Sequence, residues 1–241
     1  LGIGARTYDP PSEAFLDAFN AGDFMMIGFR WSHINSGEYL NMIDRCLAYN
    51  NDREAKGRGR LNFAWAIFNE YNLKENDESQ PFQYSEGKNK GEVDLERLAS
   101  EINKAAKAIH AKDPQHPVTT VLGAVTARTD ALINLGKIFK NTPEIDFYSF
   151  NTYFYLSPDK FILQYLMMME DKAYGGDNRP LFISELGTDS YNNDAKKEDN
   201  TTFGDLGIKV DDFKNLNDAL LRKTRTTNTQ ARFYLETLPL L

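Results

Sequence analysis

Short apolar runs alternate with amphipathic helical patterns along nearly the whole chain, and few folds accommodate that alternation. Gly2–Tyr8, Asp23–Trp31, Asn62–Asn69, Pro117–Val125, Ile145–Phe154 and Pro180–Leu186 read as strands. Ser12 is placed to cap a helix over Glu13–Asn20, on which Phe15, Ala18 and Phe19 share a face. A helix over Gly37–Tyr49 carries Leu40, Ile43 and Leu47, and one over Asp94–His110 carries Leu95, Leu98, Ile102, Ala105, Ala106 and Ile109. Further helices are expected at Thr129–Phe139, Lys160–Lys172 and Asp211–Leu235, with a polar loop over Asn192–Thr202. Runs such as DFMMIGFRW and NFAWAIFN are apolar on both faces, the pattern of parallel strands covered on both sides. Two architectures fit: an open doubly wound sheet, or most of a (β/α)8 barrel. No Gly-rich phosphate loop follows any of the strands, which disfavours the nucleotide-binding form of the first.

Composition narrows the partners. The chain has 28 basic against 35 acidic residues and a net charge of −7, so a nucleic-acid or anionic-lipid partner is not expected. Its densest basic stretch, Arg53–Arg60, reads as a solvated loop. No apolar run reaches the roughly 18 residues of a spanning helix. One cysteine, Cys46, excludes an internal disulfide framework and reads as a small buried hydrophobe. The histidines are His33, His110 and His116; they are dispersed, so neither a catalytic metal nor another cofactor is expected. His110 and His116 flank a helix stop and read as structural, and Met167, Met168 and Met169 read as helix packing. The opening LGIGARTYDPP lacks a basic segment and an initiator Met, and reads as the start of a processed or truncated fragment.

In parallel α/β folds the C-terminal strand ends face the functional side. Those ends read Arg6-Thr7-Tyr8, Trp31-Ser32-His33, Asn69-Glu70-Tyr71, Asn151-Thr152-Tyr153 and Ser184-Glu185. Glu70 follows AWAIF and Glu185 follows PLFIS; a carboxylate in such a place needs a partner, and Arg6, Asn69 and Tyr153 stand at neighbouring ends. Either glutamate alone reads as an ordinary strand-end acid in a salt bridge. As a pair they match the two carboxylates of retaining glycoside hydrolysis, held about 5–5.5 Å apart.

AWAIFNEYN (Ala64–Asn72) resembles the fourth-strand signature of the large clan of retaining (β/α)8 glycoside hydrolases, and PLFISELGT (Pro180–Thr188) resembles its seventh-strand signature. ARTY is similar to the clan's second strand, HPVTTVLG to its fifth, and IDFYSFNTY to the sixth strand of glycoside hydrolase family 2. The resemblance implies that Glu70 is the acid/base and Glu185 the nucleophile. It further implies that Asn69 holds a sugar 2-hydroxyl, and that Arg6 and Tyr153 support Glu185. His33 is open between substrate binding and a local hydrogen bond, Trp31 is a candidate sugar platform, and Tyr71, Asn72 and Tyr155 are candidates for the cleft rim. Trp65, inside a strand, is expected in the core. An oligo- or polysaccharide is the implied substrate, and a secreted, periplasmic or cell-surface setting follows from the same resemblance.

Departures from the family are plain as well. Strands 1 and 8 are not recognisable, Phe68 stands where family 2 often has Gly, and 241 residues fall short of the about 250 of a full barrel. The expectation is a single glycoside-hydrolase-like domain over 1–241, of incomplete TIM-barrel type, closed by further chain segments or domains. A transglycosylase with the same carboxylates, and a non-catalytic carbohydrate-binding barrel, remain alternatives.

Overall fold

The computed structural model describes residues 4–9, 11–74, 76–123, 138, 140–153 and 179–187. In chain order these form β1 (Gly4–Thr7), α1 (Glu13–Leu16), β2 (Phe24–Phe29), α2 (Trp31–Ser36), α3 (Glu38–Ala55), β3 (Asn62–Asn69), a 3₁₀ turn (Asp77–Phe82), α4 (Leu95–Lys112), β4 (Val118–Leu122), β5 (Phe147–Tyr153) and β6 (Leu181–Gly187). The expected helices at Thr129–Phe139 (apart from Ile138), Lys160–Lys172 and Asp211–Leu235 lie outside the described residues, as do the Asn192–Thr202 loop and Met167–Met169.

Two compact units divide the chain. The first comprises Leu1–Gly123, Lys137–Phe150 and Arg179–Ser184; the second comprises Ala124–Gly136, Asn151–Asn178 and Glu185–Leu241. Within the second, the described residues are 151–153 and 185–187, the C-terminal portions of β5 and β6.

The six strands lie in one sheet in the order β1-β2-β3-β4-β5-β6. Pairing is parallel from β1 through β5. This order decides between the two architectures. A doubly wound sheet reverses its strand order partway, whereas here each strand neighbours its successor. Right-handed crossovers then place every connecting helix on the same face, and the other face has to cover itself by rolling. The rolling is visible in three rings. Phe24 on β2 lies 5.6 Å from Phe182 on β6, and Phe182 lies 6.1 Å from Phe147 on β5. In a flat sheet β2 and β6 stand four strand spacings apart, about 19 Å. The described strands are therefore an α/β sheet of TIM-barrel type, incomplete as expected.

β2 and β3 are apolar on both sides for this reason. On the inner side Met26, Ala66 and Val121 form a cluster flanked by Phe24 and Phe147. On the helical side Phe29 stacks on Trp65 and meets Tyr39 of α3 edge-on. Tyr39, Met42, Ile43 and Cys46 make the buried stripe of α3; Leu98, Ala99, Ile102, Ala105, Ala106 and Ile109 make that of α4. Trp65 is in the core, as expected, and its indole N–H donates to Asp113 at 2.8 Å. Asp113 ends α4 and also meets His116 Nδ1 at 2.7 Å, while His110 Nε2 lies 3.1 Å from the Glu144 carbonyl. Both histidines tie chain ends of the sheet's N-terminal side. Burial pushes the Cys46 thiol up to about 12, which makes it an inert core group.

Several boundaries differ from expectation: α1 stops at Leu16 rather than Asn20, and β4 at Leu122 rather than Val125. β2 ends at Phe29, and Trp31 opens α2, which the sequence pattern missed. Gly37, at φ 77°, takes the left-handed conformation that separates α2 from α3. The Arg53–Arg60 stretch is not simply a solvated loop, because α3 continues to Ala55 and buries Arg53 to 2% exposure. The Arg53 guanidinium donates to the carbonyls of Leu16 (3.3 Å), Phe19 (3.0 Å) and Gly59 (3.0 Å). It thereby satisfies acceptors at the end of α1 and in the α3–β3 loop that burial has taken from water. Arg53→Ala is expected to destabilise the chain by about 2–4 kcal/mol in urea unfolding, since it leaves those carbonyls unpaired. Arg53→Lys should recover little of this, because one ammonium cannot reach three divergent acceptors.

Candidate active site

The site is built where β3 runs out. Phe68 and Glu70 both have positive φ, 63° and 57°, the two non-glycine residues in the described chain that do. A side chain in this region costs on the order of 1 kcal/mol or more. The cause is a bulge. Ile67 pairs with Thr120 and Asn69 with Val121, so Phe68 is one residue too many for the ladder. The backbone groups this displaces are satisfied locally. Thr120 Oγ1 donates to the Ile67 carbonyl at 2.8 Å, and the Glu70 N–H donates to the Val121 carbonyl at 2.8 Å. The Phe68 ring stacks on Tyr71 at 4.5 Å and 9°, with Phe82 and Trp31 around it. Packing of this ring is what holds a conformation in which glycine would be unstrained.

The bulge turns Asn69 and Glu70 out of the strand alternation. Asn69 Oδ1 accepts from Arg6 Nη2 and from the Tyr8 hydroxyl (3.1 Å). The Arg6 guanidinium lies over the Tyr8 ring, 4.3 Å from its centroid. Asn76 Nδ2 donates to the Asn69 carbonyl at 2.9 Å. With Oδ1 taken by two donors from the end of β1, the amide is fixed with Nδ2 on the opposite side. Beyond Glu70 the chain turns back, Leu73 N–H donating to the Glu70 carbonyl at 3.0 Å. Asn72, expected at the rim, instead accepts from the Gly123 N–H at 2.7 Å and anchors this turn to the end of β4.

Tyr8, Arg30, Asn69, Glu70, Leu73, Asn76, Asp77 and Glu78 line an open hollow of 510 Å³. That volume lies within the range of small-molecule sites. Arg30 Nη1 pairs with Glu78 at 2.5 Å and its Nε lies 3.5 Å from Asp9. Tyr71 is not at the rim: it is 2% exposed, donates to Glu78 at 2.9 Å and accepts from the Trp31 N–H at 3.0 Å. Burial pushes its phenol above the usual range, with Glu78 adding to the effect, so it stays a neutral donor. His33 resolves to the local alternative in this structure, its Nδ1 accepting from the Arg30 N–H at 3.3 Å, the back-reaching half of a capping box. Trp31 packs edge-on against Phe82 at 5.0 Å and is half-buried.

Of the expected residues, then, the structure brings together Arg6, Asn69 and Glu70, and separately Trp31, His33 and Tyr71 around Arg30. Glu185 and Tyr153 lie in β6 and β5 respectively, and their side chains lie outside the described residues, as does Tyr155. Sequence reasoning missed Tyr8, Arg30 and Glu78 as site residues. Tyr8 stands in the Arg6-Thr7-Tyr8 strand end and Arg30 follows the apolar β2, so both carry a positional signal; Glu78, in the polar NDESQ run, carries none. Among the described residues no cluster of three or more His, Cys, Asp or Glu side chains is placed to hold a metal ion. Nor is any helix there long and apolar enough to cross a membrane.

A parallel sheet wound in one direction, with a strained Asn-Glu at a strand's C-terminal end, defines the class: an α/β protein of barrel type with its candidate site on the loop side. No protein-family model and no curated protein matches the chain. Solved structures of glycoside hydrolases do. A family 51 α-L-arabinofuranosidase from Bifidobacterium longum is 17% identical over 69% of this chain and 36% of its own, with a TM-score of 0.39. A Bacteroides uniformis β-glucuronidase is 16% identical over 78% and 21%, at 0.47. An endo-1,4-β-mannanase from Eisenia fetida is 21% identical over 72% and 55%, at 0.38. The chain thus spans about a third, a fifth and just over half of these three proteins.

A Cβ added to Gly123 would stand 2.6 Å from Leu73 Cγ and 3.0 Å from Glu70 Cβ. Gly123→Ala is therefore expected to destabilise the chain by about 1–3 kcal/mol through overpacking, read as a lower urea midpoint. The same substitution should displace the turn that carries Glu70.

Proposed function

We propose that the chain is a catalytic barrel domain, or part of one, of a retaining glycoside hydrolase, most like family 2, acting on a β-linked glycan. The observation that carries this reading is the Asn69-Glu70 bulge, held by Arg6 and Tyr8 at the mouth of a 510 Å³ hollow. Strain concentrated at one strand end, and stabilised by partners from another strand, is characteristic of a place where geometry serves chemistry rather than stability. The order of motifs agrees: Glu70 follows β3 and Glu185 lies three strands later, on β6.

In this reading Glu185 attacks the anomeric carbon as the glycosidic C–O bond breaks, and the leaving oxygen takes the proton of Glu70. Glu70, now a carboxylate, removes a proton from water, whose oxygen attacks the same carbon and releases Glu185. Asn69 Nδ2 is the donor towards a sugar 2-hydroxyl, since its Oδ1 is committed to Arg6 and Tyr8. That hydrogen bond strengthens as positive charge develops on the ring. Arg6 positions Asn69 directly, and its charge favours the ionised nucleophile. Tyr153 is the proposed donor to Glu185, and 1–241 is taken as one barrel domain.

Glu70→Gln should lower kcat/KM on an unactivated glycoside by roughly 10²–10⁴-fold, with a smaller loss on an aryl glycoside whose leaving group needs no proton. A mechanism-based fluoroglycoside should leave a covalent adduct on Glu185, detected by intact mass and peptide mapping. Wild-type turnover in Glu70→Gln and Glu185→Ala, or an adduct on another residue, overturns the assignment.

A further inference from the structure

Beside the hollow at Glu70 lies a second one of 560 Å³, lined by Arg30, Trp31, Ser32, Tyr71, Asp77, Glu78, Gln80 and Pro81. Arg30, Asp77 and Glu78 line both, so the two adjoin along a shared wall as a two-part cleft. Among the described lining residues Arg30 is the one cation, facing Glu70, Asp77 and Glu78 in the first hollow and Asp77 and Glu78 in the second. Its guanidinium already has carboxylate partners. Nη1 pairs with Glu78 at 2.5 Å, Nε stands 3.5 Å from Asp9, and Glu78 is fixed from its other oxygen by Tyr71 at 2.9 Å.

We propose that this two-part cleft binds the leaving-group side of a neutral glycan, at least two sugars long, and rejects acidic sugars. The proposal rests on Glu70 as the acid that protonates the leaving oxygen, because that places the Asp77 and Glu78 wall and the second hollow, beyond Asn69 and Glu70, on the leaving-group side. Sugar hydroxyls donate well to the carboxylates of Asp77 and Glu78, and the half-buried Trp31 offers an apolar surface to the C–H face of a ring. A uronate brings a like charge to an acidic wall. To gain Arg30 it must share that cation with Glu78, whose carboxylate then stands beside its own with Asp77 on the same wall. Glu78 is thus a specificity-determining residue that acts by occupying Arg30.

The test uses the full chain. Binding to Glu70→Gln is measured by calorimetry for neutral gluco-, manno-, galacto- and xylo-oligosaccharides of increasing length and for oligouronates of matched length. Neutral chains should bind, more tightly as they lengthen to fill both hollows, with oligouronates at least about tenfold weaker. Adding Glu78→Gln releases Arg30 and should narrow that gap by about tenfold, the strength of a charge-assisted hydrogen bond. Adding Ser32→Trp, at an exposed position in the second hollow, should abolish the gain with length while short neutral chains still bind. Oligouronates bound as tightly as neutral chains, an unchanged ratio in the Glu78→Gln variant, or binding of no glycan at all each overturns the proposal. Aryl glycosides, which place their one sugar at Asn69 and none in the second hollow, report separately on the catalytic assignment. Turnover of them that depends on Glu70 and Glu185 stands whatever the cleft prefers.

Discussion

A parallel sheet whose strands follow the chain in order has helices along one face alone, so its other face has to find cover within itself. Nearly every feature of this molecule follows from that constraint. β2, β3 and β4 are buried along almost their whole length because helices α3 and α4 cover them outside and rolling covers them inside. Phe24, Phe147 and Phe182, near the starts of their strands, meet at the partly exposed rim of the inner side only because the sheet curls. Rolling also gathers the opposite strand ends on one side, where polar groups such as Arg6, Asn69 and Glu70 can reach one another.

The two ends of the sheet divide their labour. At the strand starts, charge and polarity serve stability: Asp113 joins Trp65 to His116, and Arg53 gathers three carbonyls. At the strand ends, the backbone is strained and the polar groups line hollows. Phe68 shows how the second state is held. It stands in a conformation natural to glycine, and stacking on Tyr71 keeps it there. Because the Tyr71 hydroxyl also holds Glu78, the packing beneath the bulge and the charge pattern of the cleft wall are joined through one side chain.

β2 and β3 were legible because each is a nearly continuous apolar run; β3 matches its sequence expectation at both ends. Helix α4 was legible from its stripe, and Asp94, expected as its first residue, is its N-cap. Less accessible were features set by tertiary contact. Trp31 is apolar and continues the β2 run, so nothing local announces that it begins a helix. Arg53 looks like surface charge in REAKGRGR, and only the carbonyls supplied by Leu16, Phe19 and Gly59 make burial tolerable. Asn69 and Glu70 stood out as polar residues after an apolar strand, but the bulge that aims them depends on register with β4. Glu78 was invisible for a related reason, since its meaning comes from Arg30, a distant residue in another loop.

The contact between Phe24 and Phe182 joins positions about two thirds of the chain apart, and such distant closure is entropically slow. The neighbouring pairs β1–β2, β2–β3 and β3–β4 each close over shorter stretches and, with their helices, can assemble early. Until β6 is made and folded back, the inner faces of β2, β3 and β4 stay uncovered, with Met26, Ala66 and Val121 open to other chains. During biosynthesis the hazardous interval for this molecule is therefore the one before Phe182 arrives: five strands in order, waiting for the ring that reaches back to Phe24.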